Sequence, residues 1–241
     1  MAELLERCPV LKEMLDGKSG LTRSGEEIPI HSHIPPDYAE ALYRTVLDTT
    51  PAVTLEVGMA FGVASLAILS ALRDGNRGGR LISIDPHQNA DFGGCGCVAI
   101  GRAGLSDRHE LIEDFDFNAL PRLLASELKI DFAYIDGWHT FDYALLDWWY
   151  VDKMLAANRI VGFNDCSWPA VEKVIRFINT HRKYSEIDVG LPFTVADYNR
   201  KRGLLRRLTF RPRDQSYRRV EDRYFRKVTD WEPRWDFFAP F

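Results

Sequence analysis

Residues 53–65 read VTLEVGMAFGVAS. The opening Val-Thr-Leu-Glu-Val is a strand, because β-branched side chains favour the pleated backbone. Gly58 and Gly62 follow in a short turn, and 63–73 is then a run of Ala, Leu and Ile of helical length. Strand, glycine turn and apolar helix open a βαβ unit. The glycines permit a tight turn and let backbone approach a ligand at the helix N-terminus. The spacing is not the Gly-x-Gly-x-x-Gly of dinucleotide-binding proteins, since position 60 is Ala and position 63 is Val.

Working outward, short apolar runs at 80–84, 110–112, 131–135 and 159–163 alternate with helical patterns at 118–129, 143–156 and 169–181. Continuous apolar strands between helices predict a doubly wound α/β fold, mostly parallel, with helices on both faces. Upstream, 2–16 reads as one helix stopped by Gly17 and Gly20, a polar stretch runs to Pro36, and a second helix occupies 38–48. The expected division is an N-terminal helix and cap segment over 1–36, a ligand-binding domain over 37–198 and an extension over 199–241. Runs at 194–196 and 208–210 read as late strands.

With 241 residues, 46% of them hydrophobic and 27% charged, disordered, collagen-like and mini-protein classes are excluded. No run of 18 apolar residues exists to span a membrane, and the first residues lack the apolar core of a secretory signal. Cys8, Cys95, Cys97 and Cys166 suggest neither a disulfide framework nor a Cys-x-x-Cys metal site, so a cytoplasmic location is expected. The net charge of −4 hides an asymmetry: 199–227 holds twelve Lys or Arg against three acids, leaving 19 basic and 32 acidic residues elsewhere.

Ligands of open α/β sheets bind beyond the carboxyl ends of the strands. Asp85, after the second strand, is placed to accept ribose hydroxyls, or to cap a turn. Asp136 ends the fourth strand and Asn164-Asp165 the fifth. Adjacent strands lie about 4.8 Å apart, so these oxygens are able to converge on a hard cation such as Mg²⁺, although Asp and Asn also cap helices. His139, three residues past Asp136, has the proton affinity to deprotonate a hydroxyl near neutral pH. The glycine-rich stretch around Cys95 and Cys97 reads as a mobile lid loop.

Together these residues resemble the class I S-adenosylmethionine-dependent methyltransferases over roughly 37–185. Within them they are similar to metal-dependent O-methyltransferases of small molecules and sugars. The resemblance implies a Rossmann-like methyltransferase fold, with S-adenosylmethionine held by Glu56, Gly58, Met59, Ala60, Gly62 and Ser65 of the first motif. It further implies contacts from Asp85 with Pro86 and His87, from Asp114 and Phe115 near adenine, and from Asp136. Mg²⁺ would sit on Asp136, Asn164 and Asp165, with Asp136 and His139 as the catalytic pair and His139 as base. Three positions depart from the family pattern. Ala60 replaces the middle glycine, Asn158-Arg159 replaces a Gly-Gly turn, and Asn164 replaces an acid, leaving the cation site one charge short. The expected acceptor is a small hydroxylated molecule, such as a sugar, glycan or natural-product intermediate, and an anionic one if the arginines hold it. Alternatives are metal-independent methyl transfer and a non-catalytic nucleotide- or sugar-binding module. Nucleic acid is disfavoured because the acidic body repels phosphate. The basic segment suits contact with a membrane surface, and Trp231, Trp235, Phe237, Phe238 and Phe241 suit packing onto the domain or onto a partner subunit in a homo-oligomer.

Overall fold

A computed structural model describes residues 3–75, 78–191 and 221–241. Its centre is a seven-stranded sheet in the order β5-β4-β3-β6-β7-β9-β8. The strands are β3 (Val53–Val57), β4 (Arg80–Ile84), β5 (His109–Ile112), β6 (Ile130–Ile135), β7 (Leu155–Phe163), β8 (Tyr184–Ile187) and β9 (Arg223–Lys227). From β5 to β7 every pairing is parallel, whereas β9 runs antiparallel to both β7 and β8. The order reverses between β3 and β6, which creates a crevice at their carboxyl ends.

Helices cover both faces. On one lie α1 (Glu3–Arg7), α2 (Pro9–Gly17), α3 (Pro36–Thr49), α4 (Val63–Asp74) and α5 (Cys95–Arg102); on the other lie α6 (Asp116–Ala125), α7 (Phe141–Met154) and α8 (Pro169–His181). Alternation on β3 shows the division: Leu55 and Val57 pack with Trp148 of α7, while Glu56 and Thr54 lie beneath α4 on the opposite face. Among the described residues, no helix is long and apolar enough to cross a membrane.

Four readings change. The helix expected over 2–16 is two helices, because Pro9 opens α2 and Cys8 before it takes φ −126°. The polar stretch before Pro36 contains a hairpin of β1 (Ser19–Leu21) and β2 (Glu27–Pro29). The expected lid around Cys95 is the first turn of α5. Cys95 is fully buried, and Gly20 has no room for a side chain because its Cβ would stand 2.3 Å from the Cys95 sulfur. The stretch read as an extension supplies β9, which lies inside the sheet with Tyr224 and Phe225 wholly buried.

The basic residues of β9 are tied into the fold. Arg223 makes a two-pronged ion pair with Glu186, and Lys227 donates to the carbonyls of Asp152 and Leu155. The late strands expected at 194–196 and 208–210, and the other arginines up to 219, lie outside the described residues. Phe241 docks on the domain, stacked on Phe141 of α7 and edge-on to Phe177 of α8, while Lys173 donates to its carbonyl. Trp235, by contrast, is 94% exposed.

Candidate active site

The turn after β3 is built for close backbone approach. Gly58 has φ +85°, and a Cβ there would lie 2.1 Å from the Asp136 carbonyl oxygen. Its N–H donates to the Ile84 carbonyl, while the Asp136 N–H donates to Val57, so the ends of β3, β4 and β6 are laced together. Gly62, at φ +81°, begins α4, and a Cβ on it would meet the Gly96 Cα at 2.8 Å. Ala60 is left-handed at φ +46°. That conformation costs an alanine about 1–2 kcal/mol.

Two side chains hold Ala60 there. Its N–H and that of Met59 donate to Oδ2 of buried Asp85, at 2.8 and 3.0 Å. Its carbonyl accepts from Gln88 Nε2 at 2.8 Å, and Gln88 Oε1 accepts from the Gly96 N–H at 3.2 Å. Gln88 carries little signal in the sequence, where it is a neutral amide three residues beyond Asp85. The His87 N–H occupies one position on Asp85 Oδ1. A carboxylate offers about four acceptor positions, so one remains for a ribose hydroxyl without moving the turn.

Glu56 and Ser65 do not line the crevice. Both are fully buried below α4, where Ser65 and Ser83 each donate at 2.6 Å to Glu56 Oε2. Among the described residues Glu56 Oε1 has no partner. Burial pushes the Glu56 carboxyl up to about 8, against the two serine hydrogen bonds, and Asp136 and Asp85 add repulsion. Ser83 also meets His109 Nε2 at 3.0 Å, and burial holds that imidazole down at about 4.

Asp114 and Phe115 diverge. The Asp114 carboxylate is taken by Asn118, Arg122 and the Phe115 N–H, and these bonds hold it below the usual carboxylate range. Phe115 stacks on Phe117 and stands edge-on to His87 with centroids 5.8 Å apart, an open aromatic corner where β4 and β5 end. Pro86 lies half-buried between Asp85 and His87.

At the ends of β6 and β7, Asp136, His139 and Asp165 converge, each offering a ligand atom within 4.8 Å of the others. His139 Nε2 lies 3.5 Å from Asp136 Oδ1 and 3.1 Å from Asp165 Oδ2. Buried, it has no hydrogen-bond partner among the described residues. Burial raises the Asp136 carboxyl to about 6 against the pull of His139, and raises Asp165 as well. Burial also lowers His139, but Asp136 and Asp165 outweigh it and the imidazole ends above its ordinary value. Asp165 is left-handed at φ +51°, strain of the kind that collects at functional sites. The Trp168 ring lies 5.2 Å from His139 and is 51% exposed, and Trp138 is 64% exposed.

Asn164 is not part of that trio. Its Nδ2 donates at 2.6 Å to Asp222, just before β9, which also accepts from the Tyr134 and Tyr224 hydroxyls. The tyrosines fit because Gly162 lies between them: a Cβ there would stand 2.7 Å from Tyr224 and 2.9 Å from Tyr134. Burial pushes Asp222 up to about 7, opposed by the Asn164 bond, with Asp136 adding repulsion. Nothing in the sequence flags Asp222, one acid within a basic run.

A family described as a methyltransferase domain matches residues 55–166, the span from β3 to the loop after β7. No curated protein matches the chain by sequence. Among solved structures, an O-methyltransferase from Bacillus cereus in complex with S-adenosylhomocysteine superposes with TM-score 0.60 at 18% identity, covering 74% of this chain and 82% of that one. The O-methyltransferase TomG from Streptomyces achromogenes, involved in tomaymycin synthesis and bound to S-adenosylmethionine, gives 0.57 at 17% identity over 78% and 83%. A methyltransferase from Podospora anserina bound to S-adenosylhomocysteine gives 0.59 at 15% identity over 93% and 87%. The sheet order, reversed strand and helix layers are the Rossmann-like methyltransferase fold. Residues 55–166 therefore match a methyltransferase domain, and the chain around them has the fold of the class I methyltransferases.

Proposed function

We propose that the protein transfers the methyl group of S-adenosylmethionine to a hydroxyl of a small polar acceptor. A divalent cation would be held by Asp136, Asp165 and Asn164, and His139 would be the general base. The observation that carries this reading is the meeting of Asp136, His139 and Asp165, with Asp136 also seated against Gly58 of the cofactor turn. One site therefore faces both the methyl donor and the acceptor hydroxyl.

The donor set fits Mg²⁺: two carboxylates and an amide oxygen are hard ligands. A bound cation would lower the proton affinity of the acceptor hydroxyl and fix its position. Asp136 and Asp165 hold His139 beside that place through contacts at Nε2, and a cation drawing on those carboxylates would leave that nitrogen able to take the hydroxyl proton. The turn at Met59 and Ala60, braced by Asp85 and Gln88, orients the methyl donor. Trp138 and Trp168 present broad apolar faces beside the trio, which supports an acceptor with a ring face and several hydroxyls, such as a sugar or a natural-product intermediate.

The test is transfer of labelled methyl from S-adenosylmethionine to a panel of methyl glycosides and dihydroxybenzoates, with Mg²⁺ and with EDTA. Asp165→Ala and EDTA should each abolish transfer, and His139→Gln should lower its rate roughly 10²- to 10⁴-fold with donor binding intact. Full activity in EDTA would assign the chemistry to His139 without a cation. Tight donor binding with no transfer to any acceptor would favour a binding module.

A further inference from the structure

We infer that Asp222 is a positioning residue for the cation site. By accepting the Asn164 amide N–H, it turns the Asn164 carbonyl oxygen into the third oxygen donor beside Asp136 and Asp165. This rests on the cation reading above. The antiparallel register pairs Phe163 with Arg223, which sets Asp222 against Asn164 one step on. Their hydrogen bond, at 2.6 Å, is short, and it commits the Asn164 nitrogen to Asp222. The amide oxygen carries no hydrogen bond among the described residues.

The carboxyl group at 222 also needs a reason. Asp222 is 2% exposed, and an ionised carboxyl taken from water is costly unless fully paired. Its partners are three neutral donors, the hydroxyls of Tyr134 and Tyr224 and the Asn164 amide. These donors use both carboxylate oxygens, Asn164 and Tyr134 on Oδ1 and Tyr134 and Tyr224 on Oδ2, so an asparagine, with one acceptor oxygen, could not take all three. What only a carboxyl group supplies is a second acceptor oxygen, which lets the Asn164 amide keep its bond while both tyrosines keep theirs, as carboxylates behind other metal ligands fix their orientation. Asn164 leaves the ligand set one charge short, and Asp222 fixes the orientation of its amide from one hydrogen bond away. It does so from outside residues 55–166, where the methyltransferase family match lies.

Titration calorimetry with Mn²⁺ and, separately, with S-adenosylhomocysteine tests this on the full chain. Asp222→Asn should weaken Mn²⁺ binding roughly tenfold or more, leave S-adenosylhomocysteine affinity unchanged, and have no further effect when Asn164 is already alanine. Unchanged Mn²⁺ affinity, or an equal loss in the Asn164→Ala background, overturns the inference. A wild-type chain that binds S-adenosylhomocysteine but not Mn²⁺ removes the cation reading itself. Should Asp222→Asn fail to fold, the wild type suffices: the Asn164 side-chain amide resonances, identified by their loss in Asn164→Ala, should shift on adding Mg²⁺. Resonances that stay in place overturn the proposal.

Discussion

Replacing Glu56 with glutamine should change how stability depends on pH. In the fold this carboxyl is buried, one oxygen has no partner among the described residues, and its proton is retained up to about pH 8, against an ordinary 4.5. The folded chain therefore holds a proton that the unfolded chain has released, throughout that interval. The part of stability that Glu56 supplies must fall as pH rises, by about 1.4 kcal/mol per pH unit, and level off above 8. Over the whole interval that is roughly 5 kcal/mol, comparable with the net stability of many domains. Glutamine keeps an acceptor for Ser65 and Ser83 but places an N–H₂ where Oε1 had no partner, a cost of about 1–3 kcal/mol that does not vary with pH. His109, its proton affinity lowered to about 4 by burial, affects stability only below its ordinary 6.5. The window from 6.5 to 8 is thus free of it. Urea unfolding of wild type and Glu56→Gln at unit steps from pH 5 to 9 gives the difference directly. The variant should be the less stable at pH 5, gain on the wild type by about 1.4 kcal/mol per unit, and stop gaining near 8. Parallel curves for the two proteins would refute the reasoning, because they would mean Glu56 is ionised in the fold.

Two substitutions in the cofactor turn should act in opposite directions. Gly58→Ala places a methyl group 2.1 Å from the Asp136 carbonyl at a φ of +85°; it should cost about 3 kcal/mol or more and abolish S-adenosylhomocysteine binding, as read by thermal unfolding and calorimetry. Ala60→Gly relieves a left-handed alanine but adds freedom to the unfolded chain, so a net gain of roughly 0–1 kcal/mol is expected. Its S-adenosylhomocysteine affinity should not change, because the bonds to Asp85 and Gln88 come from backbone; a loss of more than about 1 kcal/mol would show that Ala60 is not strained.

How far the sequence could be read follows from the range of the forces involved. Val53 to Arg73 is legible because strand, turn and helix are written in adjacent residues, and α8 begins and ends at the predicted 169 and 181. Asp85, Asp136 and Asp165 were readable because a parallel sheet puts every strand end on one edge. What failed needed partners distant in the chain. Glu56 carries a motif position, yet strand alternation turns its side chain away from the crevice and under α4, towards Ser65 and Ser83. Asp114 is spent on Arg122, one helical turn pair along α6. Cys95 reads as loop from its glycines, and only the packing of Gly20 and Gly62 against 95 and 96 makes it helix.

Asn164 and Asp222 show the same limit from the other side. Read locally, Asn164 is a defect in an acidic ligand pair, and Asp222 is a stray acid in a basic run. The antiparallel insertion of β9 brings together two residues 58 positions apart, and both anomalies become one feature. The basic stretch, which reads as an appendage, is then what brings the Asp222 carboxyl against Asn164. Arg223, next to Asp222, is held by Glu186 on β8, so the register that presents Asp222 to Asn164 is itself fixed by a half-buried ion pair at the sheet edge. Net charge of a segment therefore says little here about its role: nine surplus positive charges over 199–227 conceal the one carboxyl group that binds Asn164.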